Sequence, residues 1–188
     1  STFITTVPDS LIISNLWEYT SGTGYLSTSM IQPGRGYWVK SKAVGKFILS
    51  VPFASMSKSI PNDQLQRLNV LSVSDGYGNK QNLFFGTNSA GINPDFYEMP
   101  PAFSGNSLDV RFKSQKMVEI FDENSLNLQE FRLILEAKKM PIIFSWRVDN
   151  YEKINYILVE TIGNKIVSET PLQRSGSFVI RKIGRAHV

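Results

Sequence analysis

The stretch Gly34–Ser41 reads G-R-G-Y-W-V-K-S, which is one residue away from a phosphate-binding loop. Such a loop has the pattern G-x-x-x-x-G-K-[ST], because its backbone amides curl around phosphate oxygens before a helix begins. Here Val39 stands where the second glycine is required, and the residues before and after it favour strands. The stretch therefore predicts a turn that feeds a strand, and it argues against a nucleotide site.

The same segment predicts a β-hairpin over residues 33–49. Proline presets φ in the turn, and a glycine at 34 or 36 supplies the positive φ that a tight turn or bulge demands. We expect Gly36 to be the position most sensitive to a side chain. Residues 43–45 would then turn the chain back into a second strand. The residues predicted to be structurally important are Pro33, Gly34, Gly36, Tyr37 and Trp38.

Acid–base chemistry would have to rest on carboxylates. The chain has no cysteine and a single histidine, His187, which argues against histidine triads and against zinc or iron sites with His or Cys ligands. Glycoside hydrolysis needs only two carboxylates at a suitable separation. Ordinary roles compete, with Asp75 as a turn former and Asp109 as the cross-face partner of Arg111 or another cation. No catalytic or cofactor-binding residue is predicted, and a carboxylate-based glycoside hydrolase fragment is a less favoured alternative. The candidate carboxylates are Asp75, Asp95, Glu98 and Asp109.

Calcium is a second chemistry to weigh. Asp75, Asn79 and Gln81 supply oxygen ligands near a glycine-rich turn. Their spacing is neither that of an EF-hand nor that of a nonapeptide repeat. No metal site is predicted, and calcium near Asp75 is left open.

Exposed aromatic residues would allow carbohydrate binding, because sugars stack on aromatic faces. The candidates are Trp17, Tyr25, Trp38 and Tyr77. Core packing competes for each tryptophan, since a buried aromatic carries a large apolar area. Exposure of Trp38 and Tyr25 in one plane would favour the sugar hypothesis.

Composition sets the wider limits. The 188 residues are 41% hydrophobic and 19% charged, which is typical of a globular protein. No apolar run approaches 18 residues, so no membrane span is expected. The net charge of +4 is not concentrated in any run, so nucleic-acid binding is not predicted.

The two ends look unusual. The chain opens without Met on residues that resemble the inside of a strand, so we expect a cut through a longer protein. Residues 183–188, I-G-R-A-H-V, match what a common sequencing adapter encodes when it is read in frame. We expect them to be an assembly artefact. Without them the only histidine is lost and the net charge falls to +3.

Period-two alternation indicates short strands. Leu108, Val110 and Phe112 alternate with Asp109 and Arg111, which predicts one apolar and one charged face. Residues 131–136 and 142–148 alternate similarly. Glycine-rich turns at 75–79 and 162–165 predict hairpins, and 177–181 predicts a final strand.

These patterns predict an all-β protein. Residues 1–58 form a small β-module centred on the 33–49 hairpin. Residues 59–182 form an antiparallel β-sandwich, with an immunoglobulin- or fibronectin type III-like portion over about 105–182.

Three motifs carry a resemblance to a family. They are L-W-E-Y…G-Y…I-Q-P-G-R-G-Y-W-V-K within residues 16–40, V-S-D-G-Y-G-N-K-Q-N-L-F-F-G at 73–86 and Y-E-M-P-P-A-F-S-G-N-S-L-D-V-R-F at 97–112. Over roughly residues 7–182 the chain resembles a β-rich module of large exported bacterial proteins of the type IX secretion route. Phe103-Ser104 replaces the family's Pro-Pro, and the C-terminal sorting domain that normally lies downstream is missing.

The resemblance implies export to the cell surface and an adhesive or accessory role, with no agreed catalytic residues. We therefore predict a non-catalytic structural or adhesive module of a larger secreted protein. Its expected partners are neighbouring domains of the same polypeptide and a glycan or other surface ligand. A carbohydrate-binding module is the main alternative.

Overall fold

The computed structural model describes residues 3–50, 62–87, 91–102, 108–125, 127–149, 152–163 and 165–181. These residues form strands and two short 3₁₀ turns, Asn62–Arg67 and Pro94–Tyr97, with no α-helix among them. The prediction of an all-β protein is confirmed. The strands are β1 Phe3–Val7, β2 Leu16–Thr20, β3 Gly24–Thr28, β4 Tyr37–Trp38, β5 Lys46–Ser50, β6 Asn69–Ser74, β7 Lys80–Thr87, β8 Leu108–Phe112, β9 Val118–Phe121, β10 Leu133–Ala137, β11 Ile142–Arg147, β12 Ile157–Ile162, β13 Lys165–Pro171 and β14 Ser175–Ile180.

The largest sheet has five strands in the order β14-β11-β6-β7-β9. The predicted hairpin around residues 75–79 is its β6–β7 pair, which runs from Asn69 opposite Phe85 to Ser74 opposite Lys80. One neighbour pair, β7 and β9, is parallel rather than antiparallel. A parallel pair needs a long crossover, and here the chain between the two strands supplies it by forming the second 3₁₀ turn and β8.

A second layer covers the apolar face of this sheet. It contains the β8–β10 pair and the β12–β13 hairpin, which was predicted from the turn at 162–165. Val73 and Ile142 of the large sheet and Val110 of β8 are fully buried in one hydrophobic cluster, against which Leu158 of β12 packs. This two-layered arrangement is consistent with a β-sandwich. The immunoglobulin or fibronectin type III topology stays a prediction.

The N-terminal strands form a three-stranded sheet, β3-β2-β4, and a two-stranded ribbon, β1-β5. Trp17 of β2 and Tyr25 of β3 belong to the same hydrophobic cluster as the five-stranded sheet. The predicted boundary at residue 58, the Phe103-Ser104 departure and the hexapeptide 183–188 lie outside the described residues. The division into two units stays a prediction.

The predicted hairpin over residues 33–49 is wrong. Its first strand, β4, pairs with β2, where Trp38 lies opposite Trp17. Its second strand, β5, pairs with β1 instead. The turn before β5 packs against β1, since a Cβ on Gly45 would lie 2.5 Å from the Val7 carbonyl oxygen. Strands β4 and β5 therefore do not pair with each other, and each pairs instead with a strand that is more distant in sequence.

The expectation for Gly36 is also wrong. Gly34 has φ +78° and forms the turn with Pro33, whereas Gly36 is not among the glycines with positive φ. A Cβ at Gly36 would meet no atom within 4 Å. Of these two glycines, Gly34 therefore has the left-handed conformation that the turn requires, and Gly36 does not.

Alanine substitutions distinguish these two glycines. We expect Gly34→Ala to lower the free energy of unfolding by about 1–2 kcal/mol, because an L-residue is strained in the left-handed region. Gly36→Ala should leave it unchanged or slightly raised, because the side chain has room there. Urea unfolding of both variants measures the difference. A larger loss for Gly36→Ala would contradict the assignment.

Candidate functional site

A pair of charged residues is buried on β8. Asp109 is 6% and Arg111 is 2% exposed, and all five residues of the strand are buried. The charged face that the alternation predicts on this strand is therefore an interior face. Arg111 Nε donates to Asp109 Oδ1 at 2.7 Å, and a terminal nitrogen donates to Oδ2 at 2.5 Å. This two-pronged geometry is the strongest form of an arginine–carboxylate contact.

The segment Tyr97–Pro100, here called the strap, explains why these charges can be buried. Arg111 donates to the Pro100 carbonyl oxygen at 2.7 Å and also to Gln115 Oε1 at 3.3 Å. The strap is held to the chain after β8 by backbone hydrogen bonds, from Met99 N to the Gln115 oxygen and from Met117 N to the Tyr97 oxygen. The guanidinium thus replaces its hydrogen bonds to water with hydrogen bonds to several fixed acceptors of the protein. A buried charge requires such partners.

The strap also contacts the N-terminal strands. Glu98 forms an ion pair with Lys40, just after β4. The Tyr97 hydroxyl is hydrogen-bonded to Asn15; burial raises the pKa of Tyr97, and this hydrogen bond partly offsets the rise. Asn15 also donates its backbone N–H to the Phe96 oxygen at 2.9 Å. Lys40 and Glu98, which lie in two different motifs of the sequence, are therefore brought together here.

A buried glutamine makes a second connection. The Gln81 side chain is 3% exposed. Its Oε1 accepts from Tyr25 N at 2.8 Å, and its Nε2 donates to the Tyr25 oxygen at 3.3 Å and to the Asn82 oxygen at 3.1 Å. The carboxamide thus pairs with β3 as a neighbouring backbone would. Gly24, with φ +78°, makes room for it, since a Cβ there would collide with Gln81 Oε1.

Asp75 is a turn former, as predicted. Its Oδ1 accepts from the backbone N–H groups of Tyr77 and Asn79, each at 2.9 Å, and the Asn79 side-chain amide donates to both carboxylate oxygens. These N–H donors occupy the oxygens that calcium would need. Elsewhere in the described ranges, no group of three or more His, Cys, Asp or Glu side chains is arranged to hold a metal ion.

The four candidate carboxylates have different partners. Asp75 binds turn amides, Asp109 binds Arg111 and Glu98 binds Lys40. Asp95 accepts from Lys116 Nζ at 2.6 Å. The contacts of Glu98 and Asp95 join separate segments of chain, whereas those of Asp75 and Asp109 lie within one turn and one strand.

The four candidate ligand aromatics do not form one platform. Trp17 and Tyr25 are buried, at 1% and 4% exposure. Trp38 and Tyr77 are 52% and 66% exposed. Tyr25 packs edge-on against Tyr19 with ring centroids 5.3 Å apart. The arrangement that would favour the sugar hypothesis, exposure of Trp38 together with Tyr25, is therefore not present.

A shallow hollow of about 400 Å³ lies at the surface, and the sequence patterns did not indicate it. A general acid for glycoside hydrolysis is a carboxyl group kept out of water. The Glu130 side chain is instead 67% exposed and paired with Arg132 at 2.8 Å, and Glu119 accepts from Ser114. The residues that line the hollow come from separate segments of the chain, so an alternation pattern within one strand does not predict that they meet. The hollow is lined by Lys113, Glu119, Glu130, Phe131 and Arg132.

Comparisons with protein-family models, with curated proteins and with solved structures gave no match. Across the part of the chain that the structure describes, no helix is both long enough and apolar enough to cross a membrane. The function is therefore inferred from the contacts that the chain's own residues make.

Removing Arg111 should be among the most damaging single changes in the chain. We expect Arg111→Met to lower the free energy of unfolding by about 3–5 kcal/mol, because Asp109 is left as an unpaired buried charge. The double variant Asp109→Leu/Arg111→Met should lose less, since no charge remains buried. Chemical denaturation measures both.

The matched control is Arg132→Met, which breaks an ion pair whose two side chains are each 67% exposed. We expect a loss of about 0–1 kcal/mol there. Equal losses for Arg111→Met and Arg132→Met would contradict the role assigned to the buried pair.

Removing the Gln81 carboxamide should loosen the contact between β3 and β7. We expect Gln81→Leu to lower the free energy of unfolding by about 1–3 kcal/mol, because the Tyr25 N–H loses its acceptor. Amide hydrogen exchange by NMR should be faster at Tyr25. The exposed Gln173→Leu serves as control. An unchanged exchange rate at Tyr25 in Gln81→Leu would count against the contact.

Proposed function

We propose that this chain is a non-catalytic structural or adhesive module of a larger exported protein at the bacterial cell surface. The observation that carries the proposal is the buried Asp109–Arg111 pair under the strap. The most distinctive polar residues of the motif at 97–112 are used there to hold chain segments together. Nothing in their contacts is left to act on a substrate.

The other two motifs support the same proposal. In the motif at 73–86, Asp75 builds the turn, Leu83 is fully buried, and Gln81 binds β3. In the motif within 16–40, Trp17 is a core residue and Gly34 has the left-handed φ of the turn. These residues of the two motifs therefore have structural roles. That pattern fits a rigid scaffold whose loops and edges contact partners.

Neighbouring domains of the same polypeptide are the partners that we propose first. Several large apolar side chains lie on the surface of the β12–β13 hairpin, including Ile157 at 53% and Val167 at 49% exposure. Contiguous exposed apolar patches mark interaction sites in soluble proteins. A glycan or another surface ligand is the second partner class.

Surface labelling tests the proposal. Antibodies raised against the chain should label intact cells of the source organism as strongly as permeabilised cells. Beads coated with the chain would report adhesion to host or biofilm surfaces. Labelling that requires permeabilisation would contradict export.

Carbohydrate binding, the second candidate, is favoured by one observation, the half-exposed indole of Trp38. A polysaccharide column separates it from the first proposal. Retention that is lost in Trp38→Ala but kept in Tyr77→Ala would favour a glycan site on the N-terminal sheet. Release of sugar that is lost in Glu119→Gln or Glu130→Gln would instead favour a hydrolase at the hollow.

A further inference from the structure

Strand β5 presents three consecutive large apolar side chains to solvent. Phe47, Ile48 and Leu49 are 43%, 46% and 59% exposed, and every residue of β5 is exposed. Because successive side chains of a strand point to opposite faces, both faces are uncovered. A continuous apolar run is the pattern of a strand that is covered on both faces. Strand β5 thus has the composition of a central strand.

Its position is that of an edge strand. Among the described residues β5 pairs with β1 alone, in a register from Phe3 opposite Ser50 to Val7 opposite Lys46. Natural edge strands are protected by prolines, bulges or charges within the strand. Strand β5 has no proline, and its single charge lies at its first residue, Lys46. An edge of this kind accepts another strand.

We propose that β5 pairs antiparallel with β5 of a second copy of the chain, across a twofold axis at Ile48. This register sets Ile48 opposite the partner's Ile48, and Phe47 opposite the partner's Leu49. Lys46 then lies opposite the partner's Ser50, so no like charges meet. Aromatic–aliphatic pairs directly opposite each other stabilise a sheet, and like charges there destabilise it.

The pairing also completes the ribbon. A two-stranded ribbon is marginal in water, whereas the dimer has a continuous four-stranded sheet in the order β1-β5-β5-β1. The same patch serves on both copies, as a closed twofold interface requires. All five residues of β5 are paired on both edges in this register.

The other exposed apolar hairpin, β12–β13, lacks this self-complementarity. Its exposed residues Ile157, Val159 and Ile166 share their two strands with Glu160 and Glu169. Charges within the strands protect an edge against a further strand. Of these two exposed apolar strand pairs, the β1–β5 ribbon is therefore the one whose outer strand has no charge beyond its first residue.

Sedimentation velocity of the full chain over a range of concentrations tests the proposal. We expect a monomer–dimer equilibrium. Ile48→Lys sets two ammonium groups opposite each other and removes the apolar Ile48–Ile48 pair, so the dissociation constant should rise by about a hundredfold or more. Ile166→Lys, at a residue that is 61% exposed on β13, is the matched control and should leave the equilibrium unchanged.

A disulfide crosslink tests the same pairing in a second variant, so the test does not depend on whether Ile48→Lys folds. Cα atoms of directly opposed residues lie about 4.5–5.5 Å apart, within the range that a disulfide spans. The chain has no cysteine, so Ile48→Cys should give a disulfide-linked dimer on mild oxidation, and Ile166→Cys should not. A native circular dichroism spectrum checks that each variant is folded.

Three results of these two experiments would overturn the proposal. They are a monomer at every concentration, a dimer that persists in Ile48→Lys, and equal crosslinking of Ile48→Cys and Ile166→Cys. Protection of the β5 amides from hydrogen exchange in a monomer would show that another part of the same chain covers β5. That result would also overturn the proposal. Each result is independent of the surface labelling, so failure here leaves the proposed function intact.

Discussion

The charge of Arg111 imposes the strongest constraint on this structure. A guanidinium that is 2% exposed has given up water on every side, and such a loss is tolerable only when fixed acceptors replace it. Asp109 provides two acceptors, and the Pro100 carbonyl and Gln115 provide the others. Because these groups come from three segments of chain, satisfying one side chain determines where all three must lie.

The second layer of the sandwich depends on that arrangement. Strand β8 is covered on its apolar face by the five-stranded sheet and on its charged face by the strap. The strap in turn reaches the N-terminal strands through the Glu98–Lys40 ion pair. A contact inside the sandwich is thereby connected to the surface near β4 by a continuous series of packed and hydrogen-bonded groups.

Much of the fold could be predicted from local pattern. The alternation at 142–148 sets Ile142, Phe144 and Trp146 on one face, and that face is buried in the core. The glycine-rich turn at 75–79 correctly predicts a hairpin. The alternation at 108–112 predicts one apolar and one charged face, but it does not report what covers the charged face. Only the distant strap, which lies before β8 in the chain, makes the charged face an interior face.

Pairing between strands was harder to predict for a related reason. Nearness in sequence favoured a hairpin of β4 with β5, yet β4 lies beside Trp17 and β5 beside β1. Choosing among such partners depends on packing that a single sequence does not display. The hollow around Phe131 could not be predicted because its residues lie in separate segments, and Gly36 was favoured over Gly34 because composition alone does not report φ.

The Gln81 carboxamide has an effect on assembly as well as on stability. Both backbone groups of Tyr25 that it binds face away from β2, along the outer border of the three-stranded sheet. A side chain from another sheet therefore occupies the place where an incoming polypeptide would dock. An added strand could therefore pair with β3 at Tyr25 only by displacing the Gln81 side chain.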